Sequence, residues 1–302
     1  MQGGIDLSYD SMISILEQLN ERQSINSDTI PHGRNLLHQL HKKEGEKETF
    51  FERILPLYLD TRTNTIIDND LNNYVETVVE KTNQYIDCFW PPENNPFSHQ
   101  TDFVSSIIPE MLCTIFRTVI ESYNANLEVS AQKDLSIECT FNASSGGTIN
   151  LKNKRVDVAV VEQCMLSLND HFIDLPIPLL AIECKTNLDK NMLSGIEHSV
   201  SELKKTFPSC NYYVVTEYSD FNVNKTNYAS SGINEMYILR RQKRNEVRRD
   251  SSRRKPLDSH LIYEITNDLA LAIEALDAVS DSLSTRMHHG RLIGREGQDG
   301  NT

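Results

Sequence analysis

The middle of the chain switches between two hydrophobic periods, one typical of helices and one typical of strands. Apolar residues recur at helical spacing over residues 109–123 and again over residues 192–207. Between these segments, apolar and polar residues alternate over residues 135–142, which is typical of a strand with one buried face. The pattern predicts a helix, at least one strand and a second helix.

Three further segments predict strands of the same sheet. Residues 155–161 and 179–185 are apolar runs with few polar interruptions, and residues 211–218 are rich in Tyr, Val and Thr. We expect a turn at residues 144–147 and a polar loop around residues 169–171. A strand, helix and strand in succession favour a parallel crossover, so we predict an α/β core in the order helix, three strands, helix, strand.

The regions on either side of this core predict helical additions. Residues 1–100 contain several apolar stripes of helical period and predict a helical N-terminal region, which more often means structural core or a subunit interface than a cofactor site. A proline-containing stretch at 90–96 is the expected linker to a core spanning residues 101–225. Residues 226–302 hold a short strand at 233–239, a basic segment and an amphipathic helix at 261–283, and we expect fraying from Arg286 onward.

Two of the predicted strands carry charged residues in otherwise apolar surroundings. Side chains two residues apart on a strand point the same way, so Glu183 and Lys185 share one face while the residues between and before them point into the core. Asp157 is a single acid inside the preceding apolar strand. Because burial of a charge is costly unless it is paired or metal-bound, these groups need a partner.

A divalent metal ion would satisfy both acids. Mg²⁺ prefers oxygen ligands and usually takes one or two carboxylates with water and phosphate in its other positions, so Asp157 and Glu183 are the expected ligands. Lys185 would orient or deprotonate a water, or neutralise charge on a phosphate. The alternative is a chance triplet on an exposed polar strand face, which is common for so short a motif.

The order of elements and these three residues resemble the PD-(D/E)XK nuclease superfamily over roughly residues 103–220. Asp157, Glu183 and Lys185 match its two acids and its lysine, and Val156 stands where a proline is often found. The resemblance implies Mg²⁺-dependent phosphodiester hydrolysis, with the backbone carbonyl of Cys184 as a further metal ligand. Glu110 matches an acid that many members carry on the first helix, but it is equally an ordinary first-turn glutamate favoured by the helix dipole.

Within that superfamily, the chain resembles the BbvCI-type restriction endonuclease subunits, through the segments Lys154-Arg155-Val156-Asp157 and Ala181-Ile182-Glu183-Cys184-Lys185-Thr186-Asn187 with the residues that follow. Such enzymes are heterodimers of related subunits. The resemblance implies double-stranded DNA and a homologous second subunit as partners. It also implies one active site in each subunit and one strand cut at an asymmetric site of the CCTNAGC kind.

The charge distribution supports a nucleic-acid substrate despite an acidic total. The net charge is −13, but residues 240–255 contain nine basic residues and two acids, a net of +7 that leaves −20 on the rest. A basic segment on an acidic protein is what a DNA-contacting face requires, although a solvated charge run or a contact to an acidic partner explains it as well. The predicted DNA contacts are Arg155, Arg240, Arg241, Lys243, Arg244, Arg248, Arg249, Arg253, Arg254 and Lys255.

Other motifs narrow the function by their absence. The six cysteines are dispersed without zinc-ligand spacing, and no phosphate-binding or dinucleotide-binding glycine motif is present. We expect a cytoplasmic protein, because we find no signal peptide and no apolar run long enough to cross a bilayer. Two alternatives stay open, a structure-selective or repair nuclease on the same core and a non-catalytic DNA-binding subunit.

Overall fold

The fold was analysed in a computed structural model of the chain. The structure describes residues 8–22, 29–42, 48–62, 70–90, 102–123, 125–142, 148–168, 171–220 and 231–288. The predicted turn at 144–147 lies outside these residues, as do both predicted region boundaries and most of the predicted linker.

The described residues form helices on both sides of one mixed sheet. The helices are α1 (Tyr9–Arg22), α2 (Pro31–Lys42), α3 (Glu48–Arg62), α4 (Leu71–Asp87), α5 (Asp102–Ser105), α6 (Ile107–Ser122), α7 (Lys190–Thr206), α8 (Arg244–Arg249) and α9 (Ser259–His288). The strands are β1 (Glu128–Asn142), β2 (Thr148–Leu168), β3 (His171–Leu188), β4 (Asn211–Ser219) and β5 (Glu235–Ile238).

The sheet follows the chain order from β1 to β5. The pairs β1–β2 and β2–β3 are antiparallel, and the pairs β3–β4 and β4–β5 are parallel. Helix α7 connects β3 to β4, so the predicted parallel crossover is confirmed, as is the order helix, three strands, helix, strand. The predicted short strand and C-terminal helix are present as β5 and α9.

The alternation along the strands divides the interior into two layers. Leu180 and Ile182 belong to a core that includes α6, α9 and the N-terminal helices, whereas Ala181 packs in a second core beneath α7. The first core contains buried residues from α1 to α4 as well as from the sheet. The N-terminal helices therefore bury their apolar faces together with one face of the sheet.

The hairpin of β2 and β3 is longer than the sequence pattern predicts. Its pairing runs to Leu168 opposite His171, beyond Val161, where β1 stops pairing with β2. His171 was predicted to lie in a loop, but it is the first residue of β3. The polar stretch misled the prediction because cross-strand hydrogen bonds extend a hairpin whatever the polarity of its side chains.

One segment meets the length and apolarity required of a membrane span. Within the described residues this is Phe103–Ser122, which covers most of α5 and all of α6, and most of it is buried inside the fold. Contrary to expectation, the chain therefore does contain one sufficiently long apolar run. Its buried helix α6 is hydrophobic almost all round because it packs against both the sheet and the N-terminal helices.

Candidate active site

The three chemically informative residues lie on neighbouring antiparallel strands. Val158 of β2 pairs with Ile182 of β3, which places Asp157 and Glu183 one position further along each strand. Glu183 and Lys185 face away from the core that holds Leu180 and Ile182, as the alternation predicts. The sheet thus delivers two acids and a lysine to one place.

Hydrogen bonds hold the two carboxylates in defined positions. The backbone N–H of Cys184 donates to Asp157 Oδ2 at 2.7 Å, and Lys185 Nζ donates to Glu183 Oε1 at 2.7 Å. The hydroxyl of Tyr212, on β4, donates to the second oxygen of Glu183 at 3.3 Å. Lys185 Nζ also lies 3.9 Å from Asp157 Oδ2, so one ammonium contacts both acids.

The pKa values of Asp157 and Lys185 are both shifted by their neighbours in this cluster. Burial and the neighbouring charge of Glu183 raise the pKa of Asp157, although Lys185 lowers it in part. Burial alone would lower the pKa of Lys185, but its hydrogen bond to Glu183 and the two carboxylate charges raise it above its ordinary value. The lysine is therefore held as an ammonium between the acids.

The cluster opens into a cleft of about 880 Å³. Asp157 and Lys185 lie on its wall with side chains 34% and 30% exposed, whereas Glu183 lies deeper at 12%. Three arginines, Arg155, Arg244 and Arg248, also line the cleft. A polyanion that entered it would meet these basic groups on the same wall as the acids.

The short helix α8 brings two of these arginines to the cleft. Arg244 and Arg248 are four residues apart and so lie on the same side of the helix. Asp220, directly after β4, accepts a hydrogen bond at 3.3 Å from the backbone N–H of Asn245, which ties the start of α8 to the sheet. Asp220 and Tyr212 were not predicted from the sequence, because their roles depend on contacts between distant segments.

The residues present fit a magnesium ion. Two carboxylates converge, and Asn187, two residues after Lys185 on β3, lines the cleft with a buried Oδ1 that has no hydrogen-bond partner among the described residues. Such an acceptor suits a water of a hydrated ion. No group of three His, Cys, Asp or Glu side chains in the described residues could hold a metal ion, so the side chains that would ligate an ion here are the two acids.

Glu110 does not join this pair, so its prediction as a metal ligand is contradicted. Its carboxylate is buried between α6 and the N-terminal helices, where Oε1 accepts from the Tyr58 hydroxyl at 2.7 Å and Oε2 from the Gly33 N–H at 2.8 Å. Arg62 lies 3.5 Å from it. Both oxygens of Glu110 thus accept hydrogen bonds from residues of the N-terminal helices.

Two of the predicted DNA contacts are structural instead. Arg240 is fully buried, and its Nε donates to Glu217 Oε2 at 2.8 Å. The side chain of Arg254 is 8% exposed, pairs with Asp87 and lies 5.0 Å from the ring centroid of Trp90. Arg240 is enclosed in the interior and Arg254 is held against Asp87 and Trp90 with little exposure, which contradicts the prediction that they contact DNA.

The remaining basic residues of the segment stay predictions. Arg241 and Arg253 are exposed and pair with Asp258 at 2.7 Å and Asp250 at 3.1 Å, respectively. Three further side chains are exposed and lie outside the residues that line the cleft: Lys243, Arg249 and Lys255. Arg155 is exposed at the cleft and forms a bidentate pair with Asp134, at 3.0 Å for each hydrogen bond.

Comparisons with known proteins agree with this arrangement. A solved structure described as the native BbvCI A2B2 tetramer at low resolution has the same fold, with a TM-score of 0.67 and 21% sequence identity, covering 82% of this chain and 96% of that one. No curated protein matches the sequence. The family model of the Bpu10I restriction endonuclease matches residues 100–260, more than half of the chain. The chain therefore belongs to the Bpu10I restriction endonuclease family.

Proposed function

We propose that this chain is one subunit of a type II restriction endonuclease that hydrolyses double-stranded DNA at a specific, asymmetric site and cuts one strand. The observation that carries the proposal is the convergence of Asp157, Glu183 and Lys185 at a cleft lined with arginines. Membership of a restriction endonuclease family supports it.

Asp157 and Glu183 are the proposed Mg²⁺ ligands, with the Cys184 carbonyl as a third. When bound, Mg²⁺ would polarise the phosphoryl oxygen and lower the pKa of a water. The Cys184 N–H and the Tyr212 hydroxyl fix the orientation of the two acids, so little reorganisation is needed when DNA binds.

Lys185 completes the site as a hydrogen-bond donor. Its ammonium lies between the two acids, where it can orient a water or neutralise charge on the phosphate as the bond to the leaving oxygen breaks. This placement favours donation and charge neutralisation over proton abstraction, because an ammonium paired with a carboxylate has no free lone pair.

The cleft arginines are the proposed contacts to the DNA backbone. Arg244 and Arg248 reach the cleft from one face of α8, and Arg155 reaches it from β2. Guanidinium groups suit phosphates because they donate two parallel hydrogen bonds. The acidic remainder of the protein would confine non-specific DNA contact to this face.

A related second subunit is the proposed partner. The fold is shared with a protein described as an A2B2 tetramer, and a chain with a single catalytic cluster needs a second cluster to cut both strands of an asymmetric site. The alternatives, a less selective nuclease and a subunit that only binds DNA, differ from this proposal in their products.

The test is incubation of a supercoiled plasmid of known sequence with the full chain, alone and together with a related second subunit, in Mg²⁺ or in EDTA. We expect nicks or bands at fixed positions in Mg²⁺ and intact plasmid in EDTA, with the cut positions read by sequencing the ends. General smearing would favour the less selective nuclease. Intact plasmid under every condition, with retained DNA binding, would contradict catalysis.

A further inference from the structure

Gln132 has an unusual backbone conformation at a sensitive place in the sheet. It lies within β1 with φ +52°, in the left-handed region, although it is not glycine. Its neighbours Ala131 and Lys133 pair with Val158 and Val156 of β2. The register therefore sets Gln132 directly opposite the proposed metal ligand Asp157.

This conformation is unfavourable for an ordinary side chain. Left-handed backbone brings Cβ close to the following carbonyl oxygen, and glutamine lacks the short polar side chain that lets asparagine tolerate it. Such residues persist where the surrounding structure imposes them, and they concentrate at functional sites. Here the regular pairs on both sides, including the fully buried Ala131, hold the backbone in place.

Gln132 also lies where two depressions meet. It lines the catalytic cleft and a neighbouring open groove of about 630 Å³, and Arg155 is the other residue common to both. The groove carries two further basic residues, Arg34 and Lys133, together with three acids, Glu128, Asp134 and Asp174. A strand of DNA that passes from the groove into the cleft would cross Gln132 beside the catalytic acids.

We propose that Gln132 positions the DNA strand that is cut, by donating a hydrogen bond from its side-chain amide to a backbone phosphate next to the scissile bond. This proposal rests on the proposed function. An amide suits the place because it donates to a phosphate without adding charge next to Asp157 and Glu183, and glutamine is a common contact of DNA phosphates. The left-handed backbone is then the conformation that turns this side chain into the cleft.

Gln132→Gly tests the proposal, because glycine accepts the backbone and removes the amide. With the full chain, its partner subunit if cleavage requires one, and a plasmid carrying the cleavage site mapped for the unaltered protein, we expect the single-turnover cleavage rate to fall by about tenfold or more. The melting temperature should stay unchanged or rise, since strain is released. Gln132→Asn, which keeps an amide and tolerates the conformation, should recover part of the rate.

Thr140→Gly is the matched control, because it places glycine at an exposed position of the same strand, outside the cleft. Its φ is not positive, so glycine should lower the melting temperature and leave cleavage intact, the opposite pattern. Full cleavage by Gln132→Gly, or a fall in its melting temperature as large as that of Thr140→Gly, would overturn the inference about Gln132 alone. Absence of cleavage by the unaltered protein would instead overturn the proposed function, and this inference with it.

Discussion

Glu110 and the pair Asp157 and Glu183 show two uses of a buried acid in one protein. The carboxylate of Glu110 is enclosed by the fold: one oxygen accepts a hydrogen bond from a tyrosine hydroxyl, the other accepts one from a backbone N–H, and an arginine lies nearby. Asp157 and Glu183 share the ammonium of Lys185, and Asp157 and Lys185 line an open cleft. The first acid joins helices, and the other two are the proposed ligands of a cation.

The difference shows that burial alone does not identify a catalytic acid. Glu110 is more buried than Glu183, yet its two oxygens accept from partners supplied by the N-terminal helices, whereas Glu183 accepts from Lys185, which lines the cleft. What distinguishes Asp157 and Glu183 is that they share one ammonium beside a cleft, whose wall also carries the Oδ1 of Asn187, an acceptor without a hydrogen-bond partner among the described residues. Substitutions at the two places should therefore have different consequences, one for chemistry and the other for stability.

The largest expected effect is the loss of cleavage by Glu183→Ala. It removes one proposed metal ligand and leaves the cleft arginines in place, so cleavage should fall by about a thousandfold, the order of several kcal/mol of lost transition-state stabilisation. DNA binding in the presence of Ca²⁺ should be largely kept, since backbone contacts are separate from the chemistry. Single-turnover cleavage and a filter-binding assay measure the two.

Glu183→Gln is the companion variant, because it keeps the volume and the hydrogen bond to Tyr212 but weakens metal binding. We expect it to fold like the unaltered protein and to lose most of the activity. Full cleavage by either variant would show that Glu183 takes no part in cleavage. The proposed difference between Glu183 and Glu110 would then be wrong.

A comparable effect, on stability rather than chemistry, is expected for Glu110→Ala. The change leaves Arg62 and the Tyr58 hydroxyl without their buried acceptor, and loss of one member of such a network costs about 3 to 5 kcal/mol. Urea denaturation followed by circular dichroism measures the free energy of unfolding. Cleavage per folded molecule should be retained, because Glu110 takes no part in the cleft.

Glu121→Ala is the control for this variant, since Glu121 lies on the same helix but is exposed. It should change the unfolding free energy by no more than about 0.5 kcal/mol. If Glu110→Ala folded normally and lost cleavage as Glu183→Ala does, the assignment of Glu110 to the interior would be wrong.

The sequence was sufficient for the elements and for the shared direction of Glu183 and Lys185, because both depend on local periodicity. Alternation along β3 fixes which way Glu183 and Lys185 point, and a helix between β3 and β4 favours the parallel crossover that is present. Strand lengths were underestimated, because β2 and β3 continue through polar residues on hydrogen bonding alone. The local sequence pattern therefore predicts the direction of side chains on a strand better than it predicts the length of the strand.

The partners of individual side chains were beyond sequence reasoning. Glu110 meets Tyr58 and Gly33, 52 and 77 positions away in the chain, and Arg254 meets Asp87, 167 positions away. No local sequence pattern predicts such contacts. All basic residues of the segment 240–255 were therefore predicted to contact DNA, although they have different partners in the fold. Arg240 and Arg254 turn inward, while Arg244 and Arg248 turn to the cleft.

This division among the arginines gives the third and smallest prediction. Arg244→Ala combined with Arg248→Ala should flatten the plot of log binding constant against log salt concentration, by about 1 for each phosphate that an arginine no longer neutralises, with little change in stability. Lys205→Ala removes an exposed lysine that pairs with Glu202 on α7, and it should leave the slope unchanged.

Arg240→Ala should act differently, because it leaves Glu217 without its buried partner and so lowers the free energy of unfolding. An unaltered slope in the double variant would show that the arginines at the cleft do not contact phosphates, and that the inward and outward members of the run differ only in exposure.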